Sequence, residues 1–134
     1  CNYVTHVKGK MTAWDYFIKD ENFLSAIKVG TNYLDEKISL VSCYLRDAWG
    51  TKINYNDRVR EHNHNGCIIS GVLYLKDSNQ DLYFKELDIS IRPKKGKLIL
   101  FSPFLMHGTK FSLDKKPRYS IAFNYVESEE AKWK

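Results

Sequence analysis

Residues 60–75, REHNHNGCIISGVLYL, place two histidines one residue apart directly before an apolar run. The run is rich in β-branched and aromatic residues, which favour a β-strand. In an extended segment, side chains at positions i and i+2 point to the same face, about 7 Å apart along the strand. His62 and His64 can therefore converge on one metal ion where the strand ends, and Asn65-Gly66 supplies residues typical of a turn at that point.

The chain from about residue 37 to residue 126 continues this strand-rich pattern. Short segments of β-branched and aromatic residues are separated by turn clusters such as KDSNQD, PKKGK and SLDKKP. The predicted strands are KISLVSCYL, CIISGVLYLK, DLYFKE, LDISIRP, KLILF and RYSIAFNYV. Many short strands without helices between them indicate an antiparallel sandwich or barrel, and behind a helical cap they predict a jelly roll.

The first 36 residues have a different pattern, which predicts helices packed on the sheet. Apolar residues recur at helical spacing, namely Trp14, Phe17, Ile18, Phe23, Leu24 and Ile27. Thr12 is predicted to cap this region and Gly30 to end it. The whole chain, residues 1–134, is predicted to be one domain, with a helical buttress over 1–36 and a jelly-roll core over 37–126.

Composition narrows the class of protein. The chain is 43% hydrophobic and 28% charged, which is ordinary for a soluble globular domain. No apolar run reaches the roughly 18 residues of a membrane span, and CNYVTHVKGK lacks the hydrophobic centre of a signal peptide. Three cysteines without a CxxC spacing argue against a disulfide framework, so a reducing, cytoplasmic location is expected. The net charge of +5 is diffuse, which favours a solvated basic surface over a nucleic-acid site.

Two residues far along the chain are candidates for the same site as the histidine pair. His107 follows an apolar strand in LILFSPFLMHGTKF, where it is either a third metal ligand or a hydrogen-bonded structural residue. Arg118 lies in KKPRYSIAFNYV, a segment that should be mostly buried. A buried arginine needs an anionic partner, which is either a protein carboxylate or a ligand carboxylate held by two hydrogen bonds. His6 is isolated near the N-terminus, and we assign it no role.

These residues together resemble the iron(II)- and 2-oxoglutarate-dependent oxygenases, in particular a small bacterial and phage branch of that superfamily. The resemblance covers about residues 49–126 and rests on motifs that occur in the same order. They are Trp49, Asn56-Asp57, HNHNG from His62, SGVLYL from Ser70, PKKGKLILFSPFLMH, and RYSIAFN from Arg118. The chain departs from the branch at Asn65, which replaces a proline, at Thr51, which replaces an asparagine, and in the order of FSPFLMH.

The resemblance implies a double-stranded β-helix, a cupin-like jelly roll, in agreement with the strand pattern. It also implies an Fe(II) site in which His62 and His107 are two of the ligands. The usual third ligand in this superfamily is the carboxylate of an H-x-D/E arrangement. His64 occupies that place here, so the third ligand is either His64 or a carboxylate such as Asp57.

The same resemblance implies 2-oxoglutarate as cosubstrate and dioxygen as co-reactant. Arg118 resembles the basic residue that binds the distal carboxylate of 2-oxoglutarate, with Ser120 beside it on the same strand face. Tyr74 matches a tyrosine that reaches this carboxylate, although a core aromatic would fit the position equally well. Asn124 lies in the closing motif and receives no role.

The expected function is therefore a 2-oxoglutarate-dependent dioxygenase that hydroxylates an unidentified substrate and releases succinate and carbon dioxide. Two alternatives stay open at this point. One is a cupin-like three-histidine metal dioxygenase that does not use 2-oxoglutarate, and the other is a non-catalytic jelly-roll binding module. No residue of the sequence selects between a small molecule and a peptide as substrate.

Overall fold

The computed structural model describes residues 7–37, 43–64 and 66–127. Within these residues the elements follow in the order β1 (Val7–Lys8), β2 (Lys10–Met11), α1 (Glu21–Lys37), β3 (Tyr44–Ile53), β4 (Arg58–Val59), β5 (Ile69–Tyr74), β6 (Leu82–Phe84), β7 (Ile89–Ile91), β8 (Leu98–Phe101), β9 (His107–Gly108) and β10 (Arg118–Val126). The prediction of a mainly β chain is confirmed, and the strand RYSIAFNYV has the predicted bounds.

The strands form two main sheets in which every neighbouring pair is antiparallel. The larger sheet has the order β2-β3-β10-β5-β8, the smaller has the order β7-β6-β9, and β1 pairs with β4. Side chains of β5 and β6 pack together between the sheets, in a cluster of Val72, Tyr74, Leu82 and Phe84. Two antiparallel sheets packed face to face, with non-consecutive strands adjacent, are the arrangement expected of the predicted jelly roll.

The central strand β10 separates an apolar face from a polar one. Ile121 and Phe123 point to one side, where they pack with Phe23 and Ile27 of α1. Residues at alternate positions of β10 point to the opposite side, since side chains alternate along a strand. Those inward-facing residues include Arg118, Ser120 and Asn124, all of which are buried. The interior between the sheets is therefore unusually polar on this strand.

The helical region is shorter than predicted, and the described residues contain one helix. The carboxylate Oδ1 of Asp20 accepts the N–H of Phe23 at 2.8 Å, so Asp20 and not Thr12 caps α1. The Thr12 hydroxyl instead accepts the N–H of Gly50 at 2.9 Å, which attaches the preceding loop to β3. No helix among the described residues combines the length and the apolar character that a membrane span requires.

Gly30 lies inside α1 and does not end it, contrary to the prediction. A Cβ at this position would overlap the side chain of Leu98 on β8. The glycine therefore allows α1 to approach the edge of the larger sheet closely, and this packing offsets the roughly 1 kcal/mol that glycine costs in a helix.

The start of β3 was predicted from KISLVSCYL, of which residues 38–42 lie outside the described residues. The strand continues to Ile53 and so includes DAWGTKI, which the sequence did not predict as strand. Each residue of β10 has a partner on β3, from Arg118 opposite Ile53 to Val126 opposite Tyr44. Pairing with a central strand thus overrides the weak strand propensity of Asp47 and Gly50.

Candidate functional site

Three histidines from distant parts of the chain lie together on the wall of a pocket between the sheets. One ligand atom from each of His62, His64 and His107 lies within 4.8 Å of the other two. The Nε2 atoms of His64 and His107 are 3.2 Å apart. The fold therefore brings together all three histidines that the sequence singled out.

Main-chain hydrogen bonds fix the positions of these histidines. The N–H of His62 donates to the carbonyl of His107, and the N–H of His107 donates to the carbonyl of His62, both at 3.0 Å. The N–H of His64 donates to the carbonyl of Pro103 at 2.8 Å. These main-chain bonds join the segment before β5 to β9 and to the loop that precedes β9, and so hold them in register.

Two of the imidazole rings are oriented by carbonyl groups. Nδ1 of His62 is 2.7 Å from the carbonyl oxygen of Arg60, and Nδ1 of His107 is 2.9 Å from that of Leu105. A carbonyl oxygen can only accept, so each Nδ1 donates, and Nε2 is the atom of each ring that could bind a metal ion. Metal-bound histidines are commonly held by this kind of second hydrogen bond. The residues present thus fit a divalent metal ion.

No carboxylate belongs to this group within the described residues. Asp57, the alternative third ligand, lies elsewhere, where its Oδ2 accepts the N–H of Asn54 at 3.1 Å. The three candidate ligands are neutral imidazoles, so an ion held by them alone would keep its full 2+ charge. An anionic small molecule that binds the ion would be attracted more strongly to such a centre than to a centre in which a protein carboxylate already binds the metal.

Arg118 lines the same pocket and is only 4% exposed. Its Nε and Nη1 atoms have no hydrogen-bond partner, and no acidic side chain of the described residues forms an ion pair with it. Burial lowers the pKa of Arg118, because the charged guanidinium loses its hydration. A protein carboxylate, one of the two partners considered from the sequence, is therefore not found in the described part of the chain.

Ser120 and Tyr74 lie beside Arg118 in the pocket. Strand pairing puts Ser120 between Tyr74 on β5 and Thr51 on β3. The hydroxyls of Ser120 and Thr51 are 2.8 Å apart, and both residues are buried. Burial raises the pKa of Tyr74, so its hydroxyl is protonated at neutral pH. The predicted cosubstrate residues are therefore brought to one region of the pocket wall.

A second polar group crosses the larger sheet and was not foreseen from the sequence. The Ser70 hydroxyl donates to Oδ1 of Asn124 at 2.6 Å, and Nδ2 of Asn124 donates to Oδ1 of Asp47 at 2.8 Å. Arg46 pairs with the other carboxylate oxygen of Asp47 at 2.8 Å. Polar residues at even positions of the apolar strand β10 were the available signal, since they share a face with Arg118.

Apolar side chains complete the pocket around the histidines. The ring of Phe101 lies 4.7 Å from that of His107, centroid to centroid, and the ring of Phe84 lies 5.9 Å away. Val72 and Leu82 also line the wall. Such a lining reduces the local water and strengthens electrostatic attraction inside the pocket.

Comparison with known proteins identifies the fold and not a sequence family. The sequence matches no family model and no curated protein. Among solved structures, the viral collagen prolyl hydroxylase vCPH from Paramecium Bursaria Chlorella virus-1, in complex with 2-oxoglutarate, is 14% identical with a TM-score of 0.70, covering 90% of this chain and 80% of that one. HygX from Streptomyces hygroscopicus with iron bound is 12% identical with a TM-score of 0.70, covering 95% and 75%.

A third neighbour, a Pseudomonas putida prolyl-4-hydroxylase, is 14% identical with a TM-score of 0.63, covering 92% of this chain and 73% of that one. At these identities the likeness concerns the fold. The predicted double-stranded β-helix is confirmed, and so is the resemblance, at the level of the fold, to the iron(II)- and 2-oxoglutarate-dependent oxygenases.

Proposed function

We propose that this protein is an Fe(II)- and 2-oxoglutarate-dependent dioxygenase that hydroxylates an unidentified substrate. The observation that carries the proposal is the buried guanidinium of Arg118, which has two unpartnered nitrogens in the same pocket as three histidines. Burying an unpaired charge costs several kcal/mol, so the arrangement is best explained by an anionic ligand. The bound 2-oxoglutarate and iron of solved proteins with this fold support the same assignment.

In this proposal His62, His64 and His107 would hold the iron through Nε2. The Nδ1 atoms of His62 and His107 bond to main-chain carbonyls, and these bonds would keep both rings oriented toward the metal ion. Three protein ligands leave about three of six coordination positions for other ligands. Iron, 2-oxoglutarate and dioxygen together would supply an oxidative decarboxylation in which one oxygen atom enters succinate, carbon dioxide leaves, and the other oxygen atom hydroxylates a substrate C–H bond.

The remaining residues bind and position the cosubstrate. Arg118 offers Nε and Nη1 to the distal carboxylate, and a guanidinium binds a carboxylate best through two parallel hydrogen bonds. Ser120 and the protonated Tyr74 hydroxyl would add donors to the same carboxylate. Phe101 and Phe84 keep water from the metal side of the pocket, which favours coupling of the oxidation to the substrate.

A second candidate function rests on the neutral ligand set. A three-histidine centre also suits dioxygenases that bind their organic substrate directly on the metal without 2-oxoglutarate. The absence of Asp and Glu from the histidine group of the described residues favours this alternative. The buried Arg118 favours the first candidate. Its unpartnered guanidinium needs an anionic group, and the distal carboxylate of 2-oxoglutarate would supply one.

Anaerobic titration distinguishes the candidates. Fe(II) is added to the protein, followed by 2-oxoglutarate, and the visible metal-to-ligand charge-transfer band is recorded. We expect a band in the parent protein and a much higher 2-oxoglutarate requirement in Arg118→Ala. Iron binding without a band at any 2-oxoglutarate concentration would support the three-histidine alternative. Failure to bind iron at all would indicate a non-catalytic binding module.

A further inference from the structure

A second buried donor in the pocket has no acceptor within the protein. Trp49 lies on β3, is 6% exposed, and lines the pocket together with Arg118 and the histidines. Its Nε1 has no hydrogen-bond partner. Most buried N–H groups in folded proteins are paired, and an unpaired one costs about 1–3 kcal/mol. An indole N–H can only donate, so the group that satisfies it must be an acceptor.

Packing and not hydrogen bonding holds the Trp49 ring. The ring of Trp14 lies 4.6 Å away, centroid to centroid, at an interplanar angle of 66°, which is an edge-to-face contact. Such contacts contribute about 0.5–1.5 kcal/mol beyond the area they bury. The indole is therefore held in place before any ligand binds.

Strand register separates Trp49 from Arg118 along the pocket. Trp49 pairs with Ala122, whereas Arg118 pairs with Ile53, and the two pairs are four residues apart on each strand. Four residues of a strand span about 13 Å. Ala122 lies between Trp49 and Val72 in the sheet, and all three residues line the pocket. Unpartnered donors at two levels of one pocket suit an elongated ligand with acceptor oxygens at both ends, and a single small anion could satisfy only one of them.

We propose that the indole N–H of Trp49 donates a hydrogen bond to the 2-oxo acid end of the cosubstrate, while Arg118 binds the distal carboxylate. This inference rests on the proposed function. Trp49 thereby determines specificity for the oxygen-rich end of the ligand, and Arg118 determines specificity for the second carboxylate. The two contacts should be separable with ligands that lack one end.

The test compares 2-oxoglutarate with 2-oxovalerate, which keeps the 2-oxo acid and replaces the distal carboxylate by a methyl group. Binding to the Zn(II)-loaded protein is measured by calorimetry. We expect Trp49→Phe to weaken both ligands by about 10-fold, the loss of one hydrogen bond to a charged acceptor. Arg118→Ala should weaken 2-oxoglutarate much more than 2-oxovalerate. Tyr16→Phe is the control, because Tyr16 is exposed and does not line the pocket, and its affinities should stay within about 2-fold of the parent.

An NMR measurement on the parent protein avoids dependence on a variant's folding. The chain has three tryptophans, so the Zn(II)-loaded protein gives three indole N–H signals, and Trp49→Phe identifies one of them by its loss. We expect 2-oxoglutarate to move the Trp49 signal downfield by more than the other two. The inference is overturned if the parent binds 2-oxoglutarate in an Arg118-dependent way and yet the Trp49 signal does not move. In that case Trp49→Phe would also bind both ligands like the parent. If the parent binds no 2-oxoglutarate, the proposed function itself fails.

Discussion

The guanidinium carbon of Arg118 lies 5.7 Å from the centroid of the Tyr74 ring, and both residues are almost fully buried. A cation over an aromatic ring contributes about 2 kcal/mol when both are desolvated. The desolvation of an unpaired guanidinium costs several kcal/mol. The contact with Tyr74 therefore does not compensate for the burial of Arg118, and the ligand-free protein is less stable because of this residue.

Replacement of Arg118 by methionine should separate stability from ligand binding. Arg118→Met keeps a long side chain and removes the buried charge, so we expect the free energy of unfolding to rise by about 1–4 kcal/mol. Binding of 2-oxoglutarate should be lost in the same variant. Urea denaturation and calorimetry measure the two effects. Arg92→Met is the matched control, because the ion pair of Arg92 with Asp81 is half exposed and such pairs contribute about 0–1 kcal/mol. A destabilised Arg118→Met protein would contradict the assignment.

Loss of either carbonyl-oriented histidine should abolish the metal site. We expect His62→Ala and His107→Ala to bind Fe(II) at least about 100-fold more weakly, because each removes one of three ligands. Asn63→Ala is the control, since Asn63 is exposed between two of the histidines and its change should leave iron affinity unaltered. Metal content after dialysis and anaerobic titration provide the measurement. Parent-like iron binding in both histidine variants would show that the site is elsewhere.

The strands and the shared inward face of β10 were predictable from sequence, but the partners of that face were not. RYSIAFNYV is dense in β-branched and aromatic residues, and its alternation places Arg118 and Ser120 on one side. Asp47 and Gly50, which have weak strand propensity, made DAWGTKI look unlike a strand. Asp47 and Thr51 lie on the face of β3 that continues the Arg118 face of β10, and the residues they contact, Asn124 and Ser120, lie about 70 positions later. A local pattern carries no information on such pairing.

The histidine group shows a similar division. The spacing of His62 and His64 predicted a shared face from strand geometry alone. His107 was predicted as a ligand from its place at a strand end and from the family resemblance. Strand geometry alone could not predict it, because its backbone pairing with His62 joins segments that are far apart in the chain. The predicted start of the helix was wrong because Asp20 and Thr12 are both acceptable caps by residue type, whereas Thr12 accepts a hydrogen bond from Gly50 of β3, which no local pattern predicts.

Introduction of a carboxylate at position 64 should change which metal the site prefers. His64→Asp replaces a neutral nitrogen ligand by an anionic oxygen ligand, which suits harder ions such as Fe(II) and Mn(II) better than Zn(II). We expect the ratio of Fe(II) to Zn(II) affinity to rise relative to the parent, as measured by competition titration. His64→Ala provides the comparison and should weaken both ions. An unchanged ratio in His64→Asp, with full affinity in His64→Ala, would mean that residue 64 is not a ligand.

The hydrogen-bonded chain of Ser70, Asn124 and Asp47 should contribute strongly to stability. Asn124 is 2% exposed and bonds to both neighbours, so Asn124→Ala leaves a buried hydroxyl and a buried carboxylate oxygen without this partner. Each unsatisfied buried group costs about 1–3 kcal/mol, and we expect a total loss of about 2–5 kcal/mol. Ser70→Ala should cost less, because it removes one donor and leaves the bond to Asp47 intact.

A double-mutant cycle between these two positions tests whether the chain acts as a unit. In Ser70→Ala/Asn124→Ala the hydroxyl that Asn124→Ala would leave unpaired is already absent. The double variant should therefore be more stable than the sum of the single losses predicts, by about 0.5–3 kcal/mol. Chemical denaturation at one pH gives all four free energies of unfolding. Strict additivity would show that Ser70 and Asn124 stabilise the sheet independently, and that their hydrogen bond across β5 and β10 contributes no coupling of its own.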